Sequence, residues 1–215
     1  MKILAIADIH AEEFVIDRLR ILLSKNNYDA VFIVGDLSQK GPISFVEELL
    51  AQMPPVYAVH GNMDSKEVED FLNKKGVNIH GKKVKLAGAD SSVSVAGLGG
   101  SNPTPFTTPI EYSEQEIERT LANLKLDSKT ILLAHPPPYG VFDVVADDIH
   151  VGSQSLFNAI QKSQPMLVLC AHIHEHEGTG KIGKTPIVKL APASNGRAAE
   201  IKIEKDKALV NFIDL

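Results

Sequence analysis

The chain has 215 residues, enough for one large core or two small ones, and its 44% hydrophobic and 23% charged content is that of a globular protein. A net charge of −5 argues against a general nucleic-acid-binding surface, and no apolar run approaches the ~18–20 residues of a membrane span. One cysteine, Cys170, excludes an internal disulfide and suits a reducing compartment; with no secretory h-region at the start, the expectation is a cytoplasmic protein.

The chain opens with an apolar run, Ile3 to Ala7, that reads as a strand buried on both faces and stops on Asp8-Ile-His10. In an extended chain residues i and i+2 share a side, so Asp8 and His10 are expected to reach one ion together. Val15, Leu19 and Leu22 then mark a helix, and a second buried strand, Ala30–Val34, ends on Gly35-Asp36. A helix over 42–52 begins with Pro42 in its first turn. The strand Val56–Val59 runs into His60-Gly-Asn-Met-Asp64, and a helix over 65–75 turns Val68, Phe71 and Leu72 inward and stops at Gly76. Three βα units in succession predict a mostly parallel sheet with ligand-binding residues at the strands' C-terminal ends.

The pattern then changes. Segments 82–86 and 91–96 predict a hairpin around Ala87-Gly-Ala-Asp90, followed by a Gly- and Pro-rich loop over 97–109. A loop of that length inside a compact fold is usually functional. Ser113-Glu-Gln-Glu116 is a capping box for a helix with Ile117, Leu121 and Leu124 inward. The strand 130–134 ends on His135. A polar loop and a helix over 152–162 (Leu156, Phe157 and Ile160 inward) lead to the strand 166–170, which ends on Ala171-His-Ile-His174. The tail reads as strands 186–190, 199–203 and 208–212, the last two joined at Lys205-Asp206. No repeat or linker interrupts the chain, so a single domain over 1–215 is expected.

Five strands thus end on metal-competent side chains: Asp8 and His10, Asp36, Asn62, His135, and His172 with His174. Any one of them alone would pass for a hydrogen-bonded loop residue, but chance does not place all seven at one edge of parallel strands. Seven donors exceed the roughly four that one Zn²⁺-like ion takes and suit two ions with a shared carboxylate. Cations ~3.5–4 Å apart repel, so an anionic bridge and a bridging hydroxide are required between them. Mixed imidazole and oxygen donors favour Mn, Fe, Zn, Co or Ni over Mg or Ca.

These blocks, Asp8-x-His10, Gly35-Asp36, Gly61-Asn62-x-Asp64, His135 and His172-x-His174, resemble in the same order the calcineurin-like metallophosphoesterase family. Gly99-Gly-Ser-Asn-Pro-Thr-Pro-Phe106 further resembles a prokaryotic, largely archaeal branch of uncharacterised phosphoesterases. The resemblance implies an α/β fold, a four-layer α/β/β/α sandwich of two mixed sheets. It assigns Asp8, His10 and His174 to one divalent ion, Asn62, His135 and His172 to the other, and Asp36 to the bridge. Manganese leads the candidate metals, and the expected reaction is in-line attack on phosphorus by the bridging hydroxide.

Two positions depart from that family. Met63 stands where the motif usually has a histidine beside the leaving group, and Ala171 stands where it usually has glycine before His-x-His. A positioned acid contributes ~10²–10⁴-fold. Without one at residue 63, the expectation is a phosphodiesterase acting on good leaving groups, weak on alkyl monoesters.

Other polar residues carry two readings each. His150 is the candidate catalytic acid or phosphate contact, or a loop histidine capping the next helix. Asn62 and Asn102 are candidate substrate contacts, with simple turn chemistry the competing account for Asn102. His60 is a polar strand end or an inward partner of Asn62; His80 reads as a turn residue; His176 as an exposed loop or a support for the last ligand. Asp64 is expected to N-cap the helix after it. Residues 178–185 match both G-x-x-x-x-G-K-[ST] and G-x-G-x-x-G, but the next segment, 186–190, is β-like and opened by Pro186, so a basic hairpin is expected there in place of a P-loop.

A phosphoester substrate is the expected partner, with no membrane and no specific nucleic-acid signal; a homo-oligomer stays open. The competing function is a scaffold of the same fold, catalytically weak or inactive, that binds protein partners as the retromer subunit resembling this family does. Retention of all seven donors speaks against it, Met63 for it.

Overall fold

The computed structural model describes residues 1–39, 41–89, 93–204 and 207–215. The chain begins with β1 (Lys2–Ile6), α1 (Glu13–Lys25), β2 (Ala30–Val34), α2 (Ile43–Ala51), β3 (Val56–Val59) and α3 (Lys66–Lys74). Next come β4 (Lys83–Lys85), β5 (Ser94–Leu98), α4 (Glu114–Leu124), β6 (Thr130–Ala134), the short strands β7 (Val144–Val145) and β8 (Ile149–His150), α5 (Gln154–Ser163) and β9 (Leu167–Cys170). It closes with two hairpins, β10 (Gly178–Ile182) with β11 (Thr185–Lys189) and β12 (Arg197–Glu204) with β13 (Lys207–Asp214).

The strands form two large mixed sheets. One runs β13-β12-β1-β2-β3, with β1, β2 and β3 parallel and β12 antiparallel to β1. The other runs β10-β11-β9-β6-β5-β4, parallel in its middle four strands and antiparallel at both edges. Side chains alternate across each strand, and the alternation builds three apolar layers. Ile3, Ala5, Phe32 and Val34 meet Ile131, Leu133, Leu167 and Leu169 between the sheets. Leu4, Ile6, Val31 and Ile33 pack beneath α1, α2 and α3, while Leu132, Ala134, Val168 and Cys170 pack beneath α4 and α5. The order helix, sheet, sheet, helix is the expected four-layer sandwich, and β1 is buried on both faces as its composition requires.

Departures have physical reasons. Gly97 and Leu98, expected in a loop, extend β5, because Leu98 is buried and pairs with Ala134. The polar loop after His135 contains the β7–β8 hairpin, whose two-residue strands are too short to show any period. β10 was hidden by its glycines, which pack poorly in a strand but are tolerated at an edge. Leu22, Phe71 and Phe157 are half-buried where full burial was expected. The turn residue Asp90, the hairpin start at Ser91 and the turn Lys205-Asp206 lie outside the described residues. No helix among the described residues is long and apolar enough to cross a membrane.

Candidate metal centre

β1 ends at Ile6, so Asp8 and His10 do not meet by strand alternation, contrary to the expectation from spacing. Both lie in left-handed backbone (φ 51° and 53°), as do Ala11 (57°), Asp36 (52°) and His172 (73°). Such conformations cost a non-glycine residue about 1–2 kcal/mol. The hydrogen bonds that impose them are on hand: Asp8 N–H donates to Gly35 O (3.0 Å), and the N–H groups of Ile9 and His10 both donate to Asp36 O (2.8 and 3.1 Å). The end of β1 is wound over the end of β2. Strained backbone concentrated at one point is the mark of a functional site.

The winding brings the predicted side chains together in two triads. Asp8, His10 and His174 place one potential ligand atom each within 4.8 Å of one another, and so do Asp36, His135 and His172. In the first, His10 Nε2 lies 3.3 Å from His174 Nε2, which is 3.7 Å from Asp8 Oδ1. In the second, His135 Nε2 is 3.5 Å from Asp36 Oδ2 and 3.0 Å from Asn62 Oδ1. His135 Nδ1 donates to Val34 O (2.8 Å), which leaves Nε2 as the nitrogen facing Asp36 and Asn62. The first sheet supplies Asp8, His10, Asp36 and Asn62; the second supplies His135, His172 and His174.

The donors fit divalent cations. Asp8 is fully buried, its Oδ2 accepts His172 N–H (3.2 Å), yet its Oδ1 has no hydrogen-bond partner, and neither does the buried His10 Nδ1. A buried carboxylate oxygen without a donor is costly unless a cation meets it. Burial tends to raise the Asp8 pKa, but the neighbouring His174, His135 and Lys189 hold it well below the usual carboxylate range. Burial pushes His172 down to about 4 and His10 below its ordinary value, so both rings stay neutral with lone pairs to offer. His135 is the opposite case: burial opposes its charge, but Asp36 overcomes this and raises it to about 9. The Asp36 charge acts on His10 as well, so it bears on both triads.

Glycines make room for this. A Cβ on Gly35 would collide with the His135 ring, and one on Gly61 with the Asp36 carboxylate. Asp64 does not cap α3 as expected, because Ser65 does so, its Oγ accepting Val68 N–H (3.3 Å). Asp64 is instead fully buried and accepts Ser38 N–H (2.9 Å) and Gly61 N–H (2.8 Å), tying the loop after β2 to the loop after β3. Burial and the nearby Asp36 push it up to about 6.

Three supporting residues were not singled out from sequence. Asn62 Nδ2 donates to Thr108 Oγ1 (3.0 Å), and Thr108 Oγ1 donates to Glu111 Oε1 (2.7 Å), so the Asn62 amide oxygen is turned towards His135. Lys189 is fully buried, donates to Leu190 O (2.8 Å) and stabilises the Asp8 charge; a lysine within the apolar run 186–190 was the available signal.

Both triads open into a cleft of about 1480 Å³, whose walls include Met63, Asn102, Phe106, Tyr139 and His150. Met63 stands at the cleft and offers no proton. Asn102 lies on the wall with Nδ2 bonded to Val151 O (2.9 Å). His150 does not cap α5, whose N-cap is Ser153; its Nδ1 donates to Asp143 Oδ1 (2.8 Å). His60 is buried away from the cleft, its Nε2 3.2 Å from Tyr112 OH and its ring against His80, with burial pushing it down to about 3. His80 is more than a turn residue: its Nδ1 accepts Gly99 N–H (2.9 Å) and its ring stacks on Tyr112. His176 is half-buried and donates from Nε2 to Val144 O (2.8 Å). The P-loop-like stretch is the β10–β11 hairpin, turning at Gly183-Lys184.

The fold recurs in known proteins. The chain is 38% identical over 209 residues to the uncharacterized protein MJ1162 of Methanocaldococcus jannaschii, covering 90% of this chain and 89% of that one. Its fold is similar to that of TT1561 of Thermus thermophilus (TM-score 0.73, 20% identity, 98% and 97% of the two chains). It is also similar to a dimetal phosphatase from Danio rerio (TM-score 0.67, 10% identity, 100% and 96% of the two chains). The family model described as calcineurin-like phosphoesterase matches residues 1–176, the span that holds all seven converging donors, and the chain therefore belongs to that family of metal-dependent phosphoesterases.

Proposed function

We propose that the protein is a dinuclear phosphoester hydrolase in which Asp8, His10 and His174 hold one divalent ion, Asn62, His135 and His172 the other, and Asp36 lies between them. The observation that carries this reading is the convergence of both triads at the cleft, with Asp8 Oδ1 buried and without a hydrogen bond. The Danio rerio relative is a dimetal phosphatase, and the mixed nitrogen and oxygen donors suit Mn²⁺ first, with Fe, Zn, Co or Ni as alternatives. Divalent ions in such a site lower the pKa of water towards about 7 and neutralise charge on the phosphoryl oxygens.

The chain's own residues do the rest. Asp8 and Asp36 supply the anionic charge, the neutral rings of His10 and His172 supply lone pairs, and a metal ion at His135 would take the place of its Nε2 proton while Nδ1–H stays on Val34 O. Asn62, held by Thr108, turns its oxygen to His135, and Asn62 and Asn102, both lining the cleft, are the residues we assign to substrate contact. Because Met63 cannot protonate a leaving group beside the centre, phosphodiesters with aryl-like or nucleotide leaving groups are preferred over alkyl monoesters. We further read 1–215 as one domain, since both sheets share a single inner core, and the buried thiol of Cys170 as suited to a reducing cytoplasm.

The test is metal analysis of the purified chain with hydrolysis of bis(p-nitrophenyl) phosphate and alkyl monophosphates in added Mn²⁺. Two equivalents of metal and diester turnover are expected. Comparable rates on alkyl monoesters would refute the diester preference, and metal binding without any turnover would favour a scaffold.

A further inference from the structure

A leaving oxygen that departs into this cleft needs a proton donor, and few groups on its walls are free to be one. Of the titratable residues lining the cleft, His10, Asp36, His172 and His174 belong to the triads, which leaves Glu12, Glu175, Tyr139 and His150. His150 alone among these four is held by a buried carboxylate. Asp143 is fully buried; its Oδ2 accepts the N–H groups of Gly140 and Gly152 (3.0 Å each) and its Oδ1 accepts His150 Nδ1–H (2.8 Å). The His150 side chain remains 40% exposed, and with Nδ1 taken, Nε2 is the nitrogen left for the cleft. A carboxylate that fixes an imidazole's tautomer while the far nitrogen faces a reaction space is the arrangement of a proton-transfer dyad.

The mounting is specific as well. His150 lies on β8 opposite Val144 of β7. That hairpin is tied to the ligand-bearing segment by His176, two residues past His174, whose Nε2 donates to Val144 O. On its other flank Asn102 donates to Val151 O, joining the hairpin to the loop that also carries Thr108. The dyad is thereby anchored to both sides of the metal centre.

We propose that His150 is the catalytic acid of this enzyme and Asp143 its positioning residue, a reading that rests on the phosphoesterase activity argued above. The oxygen of water bonds to phosphorus, and the bond from phosphorus to the leaving oxygen breaks with its electron pair on that oxygen. The leaving oxygen takes the Nε2 proton of the His150 imidazolium. The ring, now neutral and still bonded to Asp143 through Nδ1–H, regains a proton from solvent, to which the attacking water has lost one. The net reaction is ester plus water to phosphate acid plus alcohol. The acid thus stands on the cleft wall, so leaving groups that extend into the cleft are the ones it serves.

The experiment compares Mn²⁺-loaded wild type and His150→Gln on methyl phosphodiesters of p-nitrophenol and phenol. The variant is expected to lose ~10²–10⁴-fold in kcat/KM on the phenyl ester and far less on the p-nitrophenyl ester, whose leaving oxygen needs little help. Equal losses on both esters, or none, would overturn the proposal. In the metal-free chain, ¹⁵N NMR should find the neutral His150 ring protonated at Nδ1, and Asp143→Asn should shift that balance; a dominant Nε2–H tautomer in wild type would overturn the dyad independently. Wild type that binds two Mn²⁺ and cleaves neither ester would instead overturn the phosphoesterase reading, and the dyad's role with it.

Discussion

Asn62 shows how much of the proposed centre depends on residues outside the two triads. Its amide would be free to flip were it not for Thr108, which accepts from Nδ2 and passes a hydrogen bond on to Glu111. Thr108→Val keeps the shape and deletes both bonds. It should weaken metal binding or activity by about 10–100-fold, the usual cost of losing an outer support, while Thr108→Ser stays close to wild type. Calorimetric Mn²⁺ titration of both variants checks this, and a Val variant that binds like wild type would remove Thr108 from the site. The acidic limb of stability also has a local origin. His60 is neutral in the fold down to about 3, whereas in the unfolded chain it protonates near its ordinary 6.5. A base with a depressed folded pKa loses its stability contribution as pH falls below the unfolded value. At pH ~4.5 this amounts to about 2–3 kcal/mol relative to neutrality. In the metal-free chain, His60→Phe should shrink the difference between urea melts at the two pH values by about that much.

At the level of elements, the capping box of α4 is complete, with Ser113 and Glu116 each satisfying the other's backbone N–H. Ser113→Ala should cost about 0.5–2 kcal/mol in a urea melt and leave metal stoichiometry unchanged, because α4 packs on the outer face of the second sheet. Much of this level was legible in the sequence. β2, β3 and β6 match their expected bounds, since runs such as Ala30–Val34 have one physical solution, burial on both faces. The metal-competent side chains were legible because each follows closely on the end of a strand. What was not legible depends on contacts between distant segments: the left-handed turn at Asp8, the Thr108–Glu111 support, and the Asp143–His150 pair on two-residue strands. Asp64 misled for the same reason. An acid before a helix is a reasonable cap until a serine beside it proves better placed and two distant N–H groups claim the carboxylate.

For the whole molecule, the proposed ion binding would be coupled to folding, because the two triads exist only in the folded chain. Mn²⁺ at ~100 times its dissociation constant adds about 2.7 kcal/mol per site. For a chain of this size that is a rise of about 5–10 °C in Tm. A chelator should reverse the rise, and Asp36→Ala should abolish most of it. A Tm that ignores both Mn²⁺ and chelator would mean that the triads bind nothing.

The division of donors between the two sheets has a consequence in time. Asp8, His10, Asp36 and Asn62 are made first, and the three imidazoles come only from residue 135 onwards. Strand β1 also waits for β12, near the end of the chain, to cover its open edge. A chain emerging from the ribosome therefore carries four donors that cannot yet assemble a centre, and the full set closes only when late segments return to early ones. Ions captured by the full set would report that the two sheets have come together.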